Sequence, residues 1–560
     1  MRAWEFSSTN FSGFVDMIPV SPDPLRYREA AWAQLERETF DVLIIGGGIN
    51  GAAVARDAVL RGMTVALVER DDFASGTSSK SSKLIHGGVR YLEQGNIGLV
   101  LESCRERDLL RTRIAPHLVR AQRFVFPVYE DDGLGVWQLR AGLLAYDLLA
   151  AFRNVEMHKP VSATDLAELE PALLQTGLKG GCLYYDCWTD DARLTIETAM
   201  AARTYGATLL NYAEVVAFDK DSTGRIVGAE VRDGLLDRTC QVRARSFVNV
   251  SGPWLDRVRT LDDPGASPRL RVTKGVHAIF PRERVGNRDA VVIRGIDDRV
   301  MFAIPWQQHT LVGTTDTYFD GDPANVVADH EDIEYILAAV NRAFPQANAT
   351  ERDVISTFAG LRPLVAPEES RSESDVSRDD QIWESAAGVI SLGGGKLTTH
   401  RHVAERIVDR VAKRIGRRVG RCRTAVVPLP GAAGVQPGGA MEEPPESREE
   451  HIRARYGARG GEVSASLRTD ETLGGRLVTD LPDLFAEVIH AIDHEMAFDI
   501  DDILERRLQV ALRSRERAGD VVVAVAELLG ERLGWDADRV ATHVERYRQA
   551  LTEAEERTLS

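Results

Sequence analysis

Gly46, Gly48 and Gly51 stand in a G-x-G-x-x-G spacing directly after the apolar run DVLII, and Glu69 follows eighteen positions after the last glycine. That is a dinucleotide-binding pattern. Gly46 makes a tight turn, Gly48 lets backbone N–H groups approach a pyrophosphate, and Gly51 lets a helix pack closely on a strand. A carboxylate at position 69 can accept hydrogen bonds from a ribose diol, whereas an arginine there would suit a 2′-phosphate. The elements that must hold these residues are a strand over 42–45, a helix over 52–61 whose N-terminus faces the pyrophosphate, and a second strand over 64–68.

Two further junctions have the same form. SFVNVSGPW is a β-branched strand ending at Gly252, and GVISLGGGKLTTH ends at the triplet Gly393–Gly395, which opens a helix. Three such junctions far apart in sequence predict one nucleotide-binding sheet assembled from separated segments. The stretches between them are long enough to build a second, substrate-binding part.

The bulk numbers bound what this machinery can belong to. A chain of 560 residues, 44% hydrophobic and 28% charged, has room for two or three domains. Its 69 basic and 85 acidic residues give −16, which excludes a nucleic-acid protein and confines any membrane contact to a local patch. The five cysteines (Cys104, Cys182, Cys187, Cys240, Cys422) have neither a disulfide framework nor zinc-site spacing, so a reducing compartment and no metal are expected.

The first 40 residues carry six acidic groups and no apolar core, and read as an extension rather than a targeting peptide. Residues 41–427 read as the oxidoreductase body and the proline- and glycine-rich stretch 428–447 as a linker. Residues 448–560 have the three- and four-residue apolar spacing of a helical domain. The apolar window GLLAYDLLAAF (142–152) is broken by Asp147, which excludes a spanning helix and predicts a core helix.

The segment ASGTSSKSSKLIHGGVRYLEQGNIGLV, followed in order by LYYDCWTDDARL, VNVSGPW, KGVHAIFP, GTTDTY, GLRPL, VSRDD and GGGKLTTHR, resembles the FAD-dependent glycerol-3-phosphate dehydrogenases. The likeness runs from about Asp41 to Arg401, and DHEMAFDIDDILERR is similar to that family's C-terminal domain. His400 stands where the family usually has an aromatic residue, and the glycine triplet replaces a common Phe-Gly-Gly. The resemblance implies an α/β fold in which a Rossmann-like FAD-binding domain is interleaved with a β-rich substrate domain, as in D-amino-acid oxidase, followed by an α-helical C-terminal domain.

It also implies the site. FAD would contact Thr77, Ser78, Ser82 and Lys83 in a loop too dense in hydroxyls for a helix interior, and Gly87, Gly252, Gly394, Gly395, Lys396, Leu397 and Thr398 in the later motifs. Oxidising a secondary alcohol beside a phosphomethyl group needs a base for the alcohol proton and fixed cations for the phosphate. Arg90, Arg362 and Arg378 are the phosphate candidates, because a guanidinium binds two oxygens at once. Lys396, at a helix start after glycines, suits a bound anion or the flavin pyrimidine carbonyl. His277 and His86 are the candidate bases. Asp186, Asp190 and Asp191 read as caps for the helix beginning at residue 192, and Asp316 fits either turn chemistry or a substrate contact.

The leading expectation is oxidation of glycerol 3-phosphate to dihydroxyacetone phosphate with electrons passed to a membrane quinone. A flavin oxidase of another 2-hydroxy or amino acid would leave two of the three arginines without a role, and a non-catalytic nucleotide-binding scaffold would need neither base nor phosphate site. Val403, Ile407, Val411, Ile415 and Val419 recur among eight basic residues up to Arg423, a basic amphipathic pattern. It is read both as a core helix and as a contact for an anionic membrane surface. A cytoplasmic enzyme, peripheral on the inner face of the cell membrane, follows from this reading, and a homodimer stays open.

Overall fold

The computed structural model describes residues 23–89, 96–131, 133, 135–150, 154–366, 380–437, 447–514 and 519–559. The predicted first junction forms with β1 (Val42–Ile45) and β2 (Val65–Val68), and β3 (Thr208–Leu210), β4 (Phe247–Asn249), β5 (Gln381–Glu384) and β6 (Val389–Gly393) complete a six-stranded sheet. Its order is β5-β6-β4-β1-β2-β3, parallel throughout except for the antiparallel edge strand β5. The sheet is therefore assembled from segments hundreds of residues apart.

Parallel strands covered on both faces read as unbroken apolar runs, and β1 shows why. Val42 and Ile44 face one core and Leu43 and Ile45 the other. The first face is covered by helices α2 (Ile49–Leu60), α3 (Asp191–Thr204) and α4 (His400–Ile415). The second packs on a four-stranded sheet and on α1 (Pro24–Arg37), which buries Trp32 and Leu35 and is capped by Asp23. Part of the N-terminal stretch read as an extension is thus built into the body.

The chain leaves the nucleotide sheet at Leu84, where a short strand pairs with Leu178–Trp188 at the edge of a ten-stranded sheet. The long strand Leu270–Pro281 runs through that sheet, flanked by Ser356–Val365 on one side and His309–Gly313 on the other. Helices beyond residue 447 dock back onto the body. Arg193 of α3 forks onto Glu495, and both terminal nitrogens of Arg507 hold Asp72, all of them buried.

Two sequence readings need correction. The basic helix expected over 403–423 stops at Ile415, because Gly416 turns left-handed at φ +63°. Its apolar face is buried, and Arg406, Arg414 and Arg417 pair with Asp380, Glu384 and Asp41 of the same chain. The window 142–152 belongs to a helix, Val136–Leu149, that is only half buried. Leu143 and Tyr146 face inward, while Trp137, Leu144 and Leu148 are 73%, 44% and 55% exposed. Ala151 and Phe152 lie outside the described residues. Among the described residues no helix is long and apolar enough to cross a membrane.

Candidate active site

Ligands of open α/β sheets bind beyond the carboxyl ends of the strands, and a cleft of about 440 Å³ opens there, between the segments that follow β1, β2, β4 and β6. Gly46 enters it at φ +114°, and a β-carbon there would lie 2.8 Å from the Val250 carbonyl oxygen. A β-carbon on Gly51 would lie 1.9 Å from the Gly46 oxygen, so α2 could not pack on β1. Gly48 precedes the helix start, where the Ile49 N–H donates to Ser78 Oγ at 2.9 Å. Glu69 accepts from the backbone N–H of Gly47 at 2.5 Å and of Asp71 at 2.9 Å. Burial outweighs those donors and pushes its carboxyl up to about 7.

The lining fits FAD. Gly46, Gly48, Glu69, Thr77 and Ser78 form one wall, and Gly252, Gly394, Gly395, Lys396 and Leu397 the other. Two wall residues that the sequence reading passed over, Asn50 and Trp254, hold a buried Oδ1 and Nε1 with no hydrogen-bond partner in the protein. Polar atoms left so in a cleft are what a polar cofactor satisfies. Gly394 and Gly395, at φ +76° and +97°, let the chain after β6 turn sharply toward the cleft. The Gly394 N–H donates to Pro363 O at 2.9 Å, and His400 Nδ1 lies 2.6 Å from Leu397 O. The turn that carries Lys396 is thereby tied both to the substrate sheet and to α4.

On the substrate side, His277 lies in the middle of the strand Leu270–Pro281, stacked on Phe358 with ring centroids 4.9 Å apart. Its Nε2 is 2.8 Å from Ser82 Oγ, and its Nδ1 is buried without a hydrogen-bond partner. Burial, with Arg362 and Lys83 adding to it, holds the imidazole down to about 3, so it is neutral at ordinary pH. Gly313 faces it across the sheet, and a β-carbon there would lie 2.3 Å from the ring. Arg362 crosses over Gly275, which has no side chain to block it, and donates to Asp316 Oδ1 at 2.9 Å and Thr314 Oγ1 at 3.0 Å. Gly275 and Gly313 thus leave the space that the Arg362 and His277 side chains occupy, a role the sequence reading missed, and Asp316 holds Arg362 by its carboxylate.

The remaining candidates fall elsewhere. Thr77 also ties its loop to the substrate sheet, donating to Leu361 O at 2.6 Å. Lys83 is fully buried and paired with Asp191 at 2.6 Å, away from the cleft wall. Gly87 packs under Tyr146 and Cys104, and Thr398 hydrogen-bonds the backbone of His86, whose imidazole burial holds below its ordinary value. Only Asp190 caps α3, accepting from Arg193 N. Asp191, the first helical residue, accepts from the Ala192 N–H at 3.0 Å but is chiefly taken by Lys83 and Ser81, and Asp186 by Arg107 and Tyr146, so neither is the N-cap. Arg90 and Arg378 lie outside the described residues.

A glycine-lined dinucleotide cleft beside a second β-sheet that carries Arg362 and His277 is the layout of one class of enzyme, the FAD-dependent oxidoreductases. The family model of that description matches residues 41–410, and that of the C-terminal domain of alpha-glycerophosphate oxidase matches residues 422–540. The aerobic glycerol-3-phosphate dehydrogenase of Staphylococcus saprophyticus is 37% identical over 500 residues, covering 86% of this chain and 88% of its own. That of Staphylococcus aureus is 35% identical over 548 residues, covering 94% and 97%. The solved glycerol-3-phosphate dehydrogenase of Bacillus halodurans, complexed with FAD, superposes with a TM-score of 0.77 at 30% identity, covering 94% and 97%. The chain belongs to the aerobic glycerol-3-phosphate dehydrogenase family, and its cofactor is FAD.

Proposed function

We propose that this enzyme oxidises sn-glycerol 3-phosphate to dihydroxyacetone phosphate and delivers the electrons to a membrane quinone. The observation that carries the substrate is Arg362, a guanidinium fixed by Asp316 and Thr314 on the strand beside the neutral His277. A rigid planar cation next to a proton acceptor suits an alcohol that carries a phosphate. Bound FAD supplies the two-electron acceptor. His277 accepts the alcohol proton, with Ser82 and Phe358 fixing its ring, and His86 is the second candidate. Arg362 holds the phosphate, joined by Arg90 and Arg378, and Lys396 holds negative charge at the cleft turn.

The quinone reading rests on an apolar surface. Trp137, Leu144 and Leu148 are exposed on Val136–Leu149, and Ile97 and Leu101 are exposed on the helix Ile97–Leu109 that packs against it. Exposed Arg105 and Arg140 lie on the same two helices and suit anionic headgroups. This surface is a better candidate than 403–423 for that role, and it supports a peripheral position on the inner face of the cell membrane.

The test is anaerobic mixing of the purified yellow protein with glycerol 3-phosphate. Flavin absorbance is expected to bleach with that substrate and not with lactate or glycine, and His277→Gln is expected to slow bleaching by about 10²–10⁴-fold. Bleaching by lactate, or an unchanged rate in the variant, would refute the assignment.

A further inference from the structure

Away from the cleft, on the helical domain, three side chains converge that the chemistry above does not use. Glu462 stands on α5 (Gly460–Thr469), and His490 and His494 lie one turn apart on α6 (Phe485–Glu495). Nδ1 of His490 is 3.7 Å, and Nδ1 of His494 is 4.0 Å, from Oε2 of Glu462. One donor atom from each residue lies within 4.8 Å of the other two.

His490 supplies the decisive detail. Its side chain is fully buried, and its Nδ1 has no hydrogen-bond partner. Its Nε2 lies 3.1 Å from Oε1 of Glu495, a carboxylate fixed in turn by Arg193. The carboxylate draws the ring proton to Nε2 and leaves the Nδ1 lone pair free 3.7 Å from Glu462 Oε2, while His494 stacks beside the ring with centroids 5.0 Å apart. A carboxylate behind an imidazole is the arrangement that orients histidines on metals.

We propose that Glu462, His490 and His494 bind a divalent transition-metal ion of the Zn²⁺ class, with water as the fourth ligand. Two imidazoles and one carboxylate suit Zn²⁺ and exclude Ca²⁺ and Mg²⁺, which take oxygen shells. Bonds of about 2.1 Å in a tetrahedron set donors about 3.4 Å apart, so the side chains must close in from separations of 3.7 and 4.0 Å to Glu462, with all three donors now within 4.8 Å of one another. Glu462 and His494 are 37% and 28% exposed on their side chains, which gives the ion a route in.

Arg459 competes for the same carboxylate, its Nη2 standing 2.8 Å from Oε2 of Glu462, and so weakens the site. Among the described residues the second such group, the fully buried His451, Asp483 and Glu487, is the poorer site, because its single imidazole already has Nε2 on Glu487, Arg455 and Arg513 hold both of its carboxylates, and no member is exposed to let an ion in.

The experiment uses the full-length FAD-loaded protein, stripped with EDTA and titrated with Zn²⁺ by calorimetry and with Co²⁺ by absorbance beyond 550 nm, clear of oxidised flavin. The expected result is one ion per chain at micromolar affinity or tighter, with the intense visible bands of tetrahedral Co²⁺. His494→Asn and Glu462→Gln, with flavin content unchanged, should weaken binding at least about tenfold, and Arg459→Gln should tighten it. Absence of saturable binding, or equal affinity in wild type and His494→Asn, overturns the proposal. Should a variant lose its flavin, the wild-type cobalt spectrum decides, because a weak octahedral spectrum overturns the site as well.

Discussion

A β-carbon on Gly275 would stand 2.4 Å from Nη2 of Arg362. The guanidinium therefore lies over a residue whose only qualification is having no side chain. The two meet because Gly275 pairs with Gly360 across the sheet, two residues before Arg362, so the arginine can lie along the strand surface and reach Thr314.

Gly275→Ala should displace this arginine without touching the flavin cleft. It is expected to raise the KM for glycerol 3-phosphate by about tenfold or more, at a cost like that of one charge-assisted hydrogen bond, with flavin content unchanged. Arg362→Lys should do the same while sparing the slow oxidation of glycerol, since lysine keeps the charge and loses the fork. Steady-state kinetics on both substrates check this, and equal losses on both would give Arg362 a structural role.

Gly51 and Gly48 should part company on mutation. Gly51→Ala brings a β-carbon to 1.9 Å from backbone and is expected to yield protein without flavin. At Gly48 the nearest atom is the side-chain oxygen Ser78 Oγ at 3.0 Å rather than backbone, so Gly48→Ala should fold and bind FAD more weakly. The ratio of flavin to protein absorbance reads both.

FAD binding should release a proton through Glu69. Its carboxyl, raised to about 7 in the protein, stays protonated below that pH, and ribose hydroxyls donating to it favour the ionised form. Affinity is therefore expected to rise with pH up to about 7, by at most about tenfold per unit for one proton, and Glu69→Gln should flatten the dependence. Calorimetry in buffers of different ionisation enthalpy measures the proton directly.

Acid should unfold the enzyme partly through buried histidines. Burial holds His400 and His309 down to about 4 and His277 to about 3, against 6.5 in free histidine. The unfolded chain takes up these protons below pH 6.5 and the folded chain does not. Their stabilisation is complete above 6.5 and is lost as pH falls toward 4, at about 1.4 kcal/mol per unit for each group. Urea unfolding of wild type and His400→Gln between pH 4.5 and 7.5 should show a shallower decline in the variant.

What could be read from the sequence was what is local. The glycine fingerprint, the acid closing β2 and the glycine turn before Lys396 each declare themselves within a few residues, because turn geometry and strand length are short-range demands. Gly275 and Gly313 look ordinary in the chain, since what forbids their side chains lies across the sheet. Asp186 and Asp191 looked like caps because acidic residues before a helix usually are, and their partners Arg107 and Lys83 come from other segments. Gly416 was a legible stop signal for α4, and the continuing four-residue apolar spacing beyond it, through Val419, obscured it.

The assembly of the nucleotide sheet from distant segments has a consequence in time. β1 and β2 are made early, but β4 and β6 and the turn carrying Lys396 follow only near residues 247–249 and 389–397. At about 5–20 residues per second of synthesis, a nascent chain spends some tens of seconds with its fingerprint complete and the opposite wall of the cleft unmade. The cofactor thus enters as a late clasp rather than an early nucleus, and a ribosome stalled before residue 388 should carry a chain that stays colourless however much flavin surrounds it.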